Sequence, residues 1–408
     1  MRVAIVVLGD LGRSPRMQAH AVALARQGAD VDIVAHSGSA PRAVIQSHSR
    51  INCHFLRPPA LHARHRLPSP AYLVYSFVRA AAGSLRLLAV LLGLPRPDIL
   101  LVQTPPAIPT LLVALVAARL RRARLVIDWH NLAYTLLALR LGGAHWAVRV
   151  ARSWEQILGR RADAHLCVSA AMRAKLETWG LPGVRVLRDR PGEEFQPAAG
   201  EERETFLERL GLAPAPVSRP VVLAVSPTSW SADENFSLLL EAAVAYEDAA
   251  REHPLPGLLV VVTGEGPLRE EFESRWRMHR LEAVQIRTLW LEPEDYPLFL
   301  RCADLGLCFH VSSSGLDLPM KVADMLGSGL TVLAFDYGCI REMVRPGENG
   351  LLFSKGADLA RHLASLLGGY PSGQAWRDRP RPASGLPVMR WEEGWRAEAW
   401  PLFEALGA

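Results

Sequence analysis

Short, mostly apolar runs separated by helix-length segments recur through this 408-residue chain. That alternation restricts the fold more than any single motif does. Residues 3–8, 31–35, 99–102, 125–127 and 164–168 form one series; residues 221–225, 258–263, 284–288, 305–309 and 330–334 form another. A strand with no polar alternation must be covered on both faces, so each series predicts a parallel sheet wrapped by helices. Between the series, residues 188–220 turn acidic and Pro-rich and end in LAPAPVSRP, which reads as a linker. The length exceeds what one core usually organises, and no short-period repeat points to a solenoid. The expected fold is α/β, with two Rossmann-like domains facing each other across a cleft: residues 1–190, a linker at 191–220, residues 221–385, and a Trp- and Leu-rich closing helix at 386–408. Open α/β sheets bind ligands beyond the carboxyl ends of their strands.

The most informative stretch lies in the second series. Residues 312–353 read SSSGLDLPMKVADMLGSGLTVLAFDYGCIREMVRPGENGLLF, a polar loop feeding a predicted helix at 318–326. Loop residues Ser314, Gly315, Leu316, Asp317 and Leu318 would set backbone N–H groups and the positive end of that helix before a diphosphate. Lys321 adds a charge in the first turn, and Asp324, three residues on, faces ribose hydroxyls. A strand at 330–334 and a turn closing on Gly347 and Gly350 complete the unit, which would also serve as a plain loop, helix and strand repeat. Ser226, Thr228, Ser229 and Trp230 follow one strand of this half; Gly264, Glu265, Gly266 and Pro267 follow the next. Both groups read as phosphate- or base-binding loops or as ordinary βα turns.

In the first half, Gly9, Asp10, Leu11, Gly12, Arg13, Ser14 and Pro15 follow a strand and open a helix. This is not a dinucleotide GxGxxG, and His36 and Ser37, not an acid, follow the second strand, which argues against NAD. Asp10 is a candidate base or a helix cap. Asp128, Trp129, His130 and Asn131 follow a further strand, and His130 reads as a rival base, an orienter of acceptor hydroxyls or a satisfied loop histidine. His54, His62 and His65 have irregular spacing in an Arg- and Pro-rich loop, unlike metal ligands. The one DxD, Asp30 and Asp32, enters strand two, so no metal is expected.

Residues 1–200 carry 26 basic and 11 acidic side chains, residues 201–408 carry 20 and 30, so the halves differ by +15 against −10. The basic half asks for an anionic partner, and without a nucleic-acid-binding motif a membrane surface or a lipid diphosphate fits better than nucleic acid. Residues 71–94 are apolar except for Arg79 and Arg86, seven apart on one helix face: either an interfacial helix or a core helix with two snorkelling arginines. Neither this stretch nor 110–120 reaches the roughly 20 apolar residues of a membrane span. Five scattered cysteines without CxxC spacing indicate a reducing compartment. Residues 1–9 read as a strand, not a signal peptide. The expected location is cytoplasmic, peripheral to the inner face of the membrane.

The stretch SSSGLDLPMKV, together with VVLGDLGRSPRMQAHAVALA, LVIDWHN, TSWSADENFSLLLEA, TGEGPLRE and WLEPEDYPLFL, resembles the chitobiosyldiphosphodolichol β-mannosyltransferase family of GT-B glycosyltransferases. The likeness runs from about residue 2 to about residue 405. It implies transfer of mannose from GDP-mannose to a lipid-diphosphate-linked, GlcNAc-containing acceptor in a β-1,4 linkage; the alternatives are a GT-B transferase using another nucleotide sugar or acceptor, a sugar-nucleotide 2-epimerase of the same two-domain fold, and a non-catalytic protein that binds sugar nucleotide or lipid. It also implies Asp10 as general base, with Gly12, Arg13, Ser14 and Asn131 beside the acceptor, and a C-terminal helix packed back on the first domain. Eukaryotic members carry an N-terminal anchor before this first strand, and the Ala-, Arg-, Leu- and Pro-rich composition points to a bacterial-type homologue, which leaves the carrier open between dolichol and another polyprenyl diphosphate. Many retaining GT-B enzymes have an Arg and a Lys in the loop after the first strand of the second domain and two glutamates eight apart. Here Asp233, Glu234 and Asn235 occupy that region and Asp317 and Asp324 are seven apart, a departure that favours an inverting, single-displacement enzyme.

Overall fold

The computed structural model describes residues 1–56, 69–197, 203–212, 219–382 and 389–407, with residues 69–77 described by their backbone. His62 and His65 lie outside the described residues. The chain divides into two compact units, one made of Met1–Arg188 with Glu392–Ala408 and the other of Asp189–Trp391.

In the first unit β1 (Arg2–Asp10), β2 (Asp30–His36), β3 (Ile51–Leu56), β4 (Ile99–Thr104), β5 (Arg124–Trp129), β6 (Ala164–Cys167) and β7 (Val184–Val186) form one parallel sheet in the order β3-β2-β1-β4-β5-β6-β7. Its central strand is buried throughout Val3–Val7, as an apolar run covered on both faces requires. In the second unit β8 (Val221–Pro227), β9 (Gly257–Thr263), β10 (Val284–Leu289), β11 (Leu305–Cys308), β12 (Thr331–Phe335) and β13 (Gly350–Phe353) pair in parallel in the order β10-β9-β8-β11-β12-β13. Strand order reverses between β1 and β4, and again between β8 and β11. Loops at such reversals part to leave a crevice, the usual ligand site of open α/β sheets.

The apolar runs match ten of these strands, while β3, β7 and β13 are additional. β3 reads INCHFL with an exposed middle, and β7 has three residues, so neither carries the buried apolar signal. The segment expected as linker holds a helix, Arg203–Arg209, within the second unit; Arg203 forks onto Asp304 at 3.0 and 2.8 Å. The closing segment forms two helices, Trp391–Glu398 and Trp400–Gly407. Its Trp395 and Phe403 are fully buried against the first unit, where His20 lies edge-on to Trp395.

Aromatic packing fixes the loop ends of the second sheet. Trp230 stacks on Phe236, which meets Phe272 edge-on in the core, and the Trp230 indole donates to the Gly264 carbonyl at 3.1 Å, tying the loop after β8 to the loop after β9. Gly264 has φ +122°, and a Cβ there would run into the Thr228 carbonyl oxygen. Only glycine meets both demands. Gly264→Ala should therefore lower stability by about 2 kcal/mol or more, read as a reduced midpoint in denaturant unfolding with an unchanged slope.

Candidate functional site

At the β8/β11 reversal the structure assembles the polar network of the second unit. The chain leaves β11 at Phe309, and Asn235 donates its N–H to that residue's carbonyl at 3.0 Å while Val311 donates to Asp233 at 2.6 Å. These bonds hold the loop after β8 against the loop after β11. His310 sits between them, buried, with Nε2 2.9 Å from Asp317 and Nδ1 3.4 Å from Asp233. Burial alone would push its pKa down. Hydrogen bonds to Asp233 and Asp317 outweigh that and hold it at about 9, so the ring is an imidazolium at neutral pH with both nitrogens donating. The same pairing holds Asp233 well below the ordinary carboxylate range against its own burial.

Asp317 organises the loop that follows. Its carboxylate accepts from Ser312, and Ser314 lies 3.4 Å away; its carbonyl accepts from the Tyr337 hydroxyl at 3.0 Å. Gly315 turns the chain with φ +71°, in the left-handed region natural to glycine. The Ser314 hydroxyl accepts the Leu316 N–H at 3.2 Å. Leu318 is buried and lies before the helix, which starts two residues later than the sequence indicates, as Met320–Gly327 behind Pro319. The first turn of a helix leaves backbone N–H groups without intrahelical acceptors, here just after the loop that turns at Gly315.

Lys321 stands in the first turn of the helix, ion-paired with the buried Glu234. An ammonium has three donors, so one carboxylate does not exhaust it, and Glu234 holds the charge at the helix start. Asp324, one turn on, lies 3.5 Å from the Tyr296 hydroxyl. Ser226 is buried within β8, Thr228 accepts the Trp230 N–H at 2.9 Å, and Glu265 is exposed. Trp230, expected to bind the donor, is instead wholly buried in the aromatic core. Its side chain positions the loops and cannot face a ligand.

The first unit places a second cluster at the ends of β1 and β5. Asp10, the last residue of β1, accepts the N–H of Gly12 at 3.0 Å and of Ser39 at 2.9 Å, with Arg13 3.8 Å away. Burial would raise its pKa, but these donors hold it below the ordinary value. Such a carboxylate clamps loops well and removes protons poorly. Ser14 donates to the Asp10 carbonyl at 3.0 Å instead of capping the helix, and Asn131 accepts the Leu132 N–H at 2.7 Å.

Asp128 belongs to β5 and is fully buried. Arg16 binds it through Nε at 2.8 Å and Nη2 at 2.9 Å, and His20 and His130 approach its Oδ2 at 3.1 and 2.9 Å. Burial would raise its pKa, but Arg16 and His130 hold it well below the usual range. An ionised carboxylate only accepts, so a neutral His130 carries its proton on Nε2 and presents Nδ1 as the basic nitrogen. His20 is fixed the same way: Trp395 donates to its Nδ1 at 2.9 Å, leaving Nε2–H for Asp128. Burial lowers the His20 pKa, consistent with a neutral ring. Behind the His130 turn the buried Glu155 accepts the N–H of Ala133 and Tyr134 at 2.8 and 3.2 Å, and its burial lifts it to about 7.

Sequence reasoning missed Arg16, His20, Glu155, His310 and Tyr337. Arg16 and His20 are one helical turn apart and both buried, a polar pair on the inner face that did signal a buried partner. His130 directly follows a buried strand, and His310 comes two residues after one.

Two parallel-sheet units of this kind are the architecture of the GT-B fold. Residues 12–191 match the glycosyl transferase 4-like domain and residues 219–368 match glycosyl transferases group 1. The chain is 37% identical to the Yarrowia lipolytica chitobiosyldiphosphodolichol beta-mannosyltransferase over 99% of its length and 86% of the relative's. It is 43% identical to the Arabidopsis thaliana UDP-glycosyltransferase TURAN, over 91% and 90%. The fold superposes on Anabaena HepE, solved with UDP and glucose, with TM-score 0.65 and 15% identity over 97% and 94%. The chain belongs to the chitobiosyldiphosphodolichol β-mannosyltransferase family, and it is a glycosyltransferase.

The His310 network gives a pH signature. Its pKa is raised on folding from 6.5 to about 9, so its contribution, at most about 3 kcal/mol, is complete below pH 6.5 and lost as pH rises through 9. Thermal unfolding midpoints should fall across that window in the parent protein. In His310→Gln the fall over the same window should largely disappear.

Proposed function

We propose that the protein transfers mannose from GDP-mannose to a lipid-diphosphate-linked, GlcNAc-containing acceptor, forming a β-1,4 linkage with inversion. The observation that carries this reading is the turn at Gly315 into the Met320–Gly327 helix, with Lys321 anchored by Glu234 at its start. That arrangement suits a diphosphate, and the mannosyltransferase relatives supply the sugar, the lipid-linked acceptor and the linkage. The acceptor oxygen attacks the anomeric carbon, the bond from that carbon to the phosphate oxygen breaks, and its electron pair leaves on GDP. Lys321 and the helix N–H groups meet the developing charge, so the reaction needs no metal.

For the base, the reading favours His130 over Asp10. The Asp10 carboxylate is committed to two backbone N–H groups, whereas Asp128 orients His130 with Nδ1 as its basic nitrogen. The proton of the acceptor hydroxyl goes to that nitrogen. A second reading, transfer from a UDP-sugar, is favoured by the name of the Arabidopsis relative.

Release of nucleoside diphosphate from GDP-mannose, GDP-fucose and UDP-sugars, with a lipid-diphosphate chitobiose acceptor, separates these readings. GDP-mannose should react and continue to do so in chelator. Preference for a UDP-sugar would overturn the donor, and an isomerised nucleotide sugar would reveal an epimerase. Lys321→Ala should raise the donor KM or cut kcat by about tenfold to a hundredfold. His130→Ala should lower kcat by about a hundredfold or more and remove the acidic limb of the pH profile, whereas Asp10→Asn should keep that limb.

A further inference from the structure

The first unit presents an apolar helical layer. The helices Ser69–Gly93, Thr110–Arg121 and Trp146–Gly159 pack side by side. Their inner residues, such as Leu87, Leu111 and Val148, are buried as core. The outer faces are apolar as well. On the second helix Leu112, Val116 and Leu120 repeat every four residues and are all exposed, Leu120 to 63%. Val150 and Ile157 form a like stripe on the third helix, as do Val78 and Leu85 on the first, where Leu85 is 68% exposed. Between residues 78 and 93 of that first helix, only Leu87 and Leu91 are buried. Isolated exposed leucines are ordinary, but stripes aligned across three adjacent helices mark an interaction surface.

The charge around the stripes selects the partner. Residues 33–154 hold 15 arginines, no lysine, and only two acids, Asp98 and Asp128. Asp128 is fully buried, and Asp98 accepts the backbone N–H of Arg2. Arg86, Arg119, Arg122 and Arg149 are exposed on or beside the same helices. A protein partner would have to cover the apolar stripes and also supply many carboxylates; an anionic bilayer offers a hydrocarbon boundary and a continuous sheet of phosphate in one surface.

We propose that this three-helix face docks the protein on an anionic lipid bilayer, with the leucine, valine and isoleucine stripes entering the headgroup boundary and the arginines resting on lipid phosphates. This deepens the reading of a lipid-linked acceptor, whose carrier such a membrane would hold, but it stands on exposure and charge alone. The face bears on the choice left open by the apolar sequence at residues 71–94: the helix packs on its neighbour, and between residues 78 and 93 it buries only Leu87 and Leu91.

The test is co-sedimentation of the full chain with vesicles of phosphatidylcholine alone or doped with phosphatidylglycerol, without nucleotide sugar or acceptor. Binding should be strong to the doped vesicles, weak to the neutral ones and diminished by salt. The double variant Leu120→Glu/Ile157→Glu should lose binding about tenfold or more, with its circular dichroism and its nucleoside-diphosphate affinity unchanged. Equal binding of parent and variant, or no binding of the parent to either vesicle, would overturn the proposal. So would a parent dimer that the double variant dissolves and that ignores vesicles, since a second copy would then cover the face. Because no sugar chemistry enters the assay, failed mannosyl transfer with intact vesicle binding would indict the donor and acceptor reading alone.

Discussion

A buried imidazolium held between two carboxylates organises the second unit. His310 ties Asp233, on the loop after β8, to Asp317, on the loop after β11. Hydrogen-bonded ions of opposite sign can be buried where an isolated ion cannot. Removing His310 would strip both carboxylates of their shared cation, whereas removing either carboxylate would leave one imidazolium N–H without its acceptor. From Asp317 the constraint passes to Ser312, Ser314 and Tyr337, then through the Gly315 turn to the helix carrying Lys321. The cradle thus inherits its shape from a charge network one layer beneath it, and Glu234 fixes the lysine from that same layer.

The first unit uses the same device with the signs exchanged. There a buried carboxylate, Asp128, is surrounded by Arg16, His20 and His130. Arg16 compensates the charge, so the histidines need only orient. The C-terminal segment enters this arrangement through Trp395, whose indole sets the His20 tautomer. A residue nearly four hundred positions away in sequence thereby controls which His20 nitrogen faces Asp128.

The fold was largely legible because most of its parallel strands are buried and stand out as mostly apolar runs. β3 and β7 escaped since edge strands bury little: INCHFL carries Asn52 and His54 in its middle. The turn and helix start at Gly315 and Pro319 were legible too, because a left-handed turn and a helix-opening proline are local backbone properties. The supporting residues were not. Trp230 follows a strand in a polar loop, where an aromatic side chain reads as a stacking platform, yet its ring fills the space between Phe236 and Phe272. Asp10 looked like a reactive acid until the N–H groups of Gly12 and Ser39 were found on its two oxygens. His310 and Arg16 acquire meaning only through partners supplied by other strands, information that local sequence does not contain.

Where a diphosphate sits decides the proposed chemistry, and the most direct measurement is a crystal structure of the protein with GDP bound. The prediction is that the two phosphates lie against the turn at Gly315 and the first turn of the Met320–Gly327 helix, within hydrogen-bonding distance of Lys321 Nζ. Ordered GDP at another location, or the absence of any measurable affinity for GDP in solution, would contradict it.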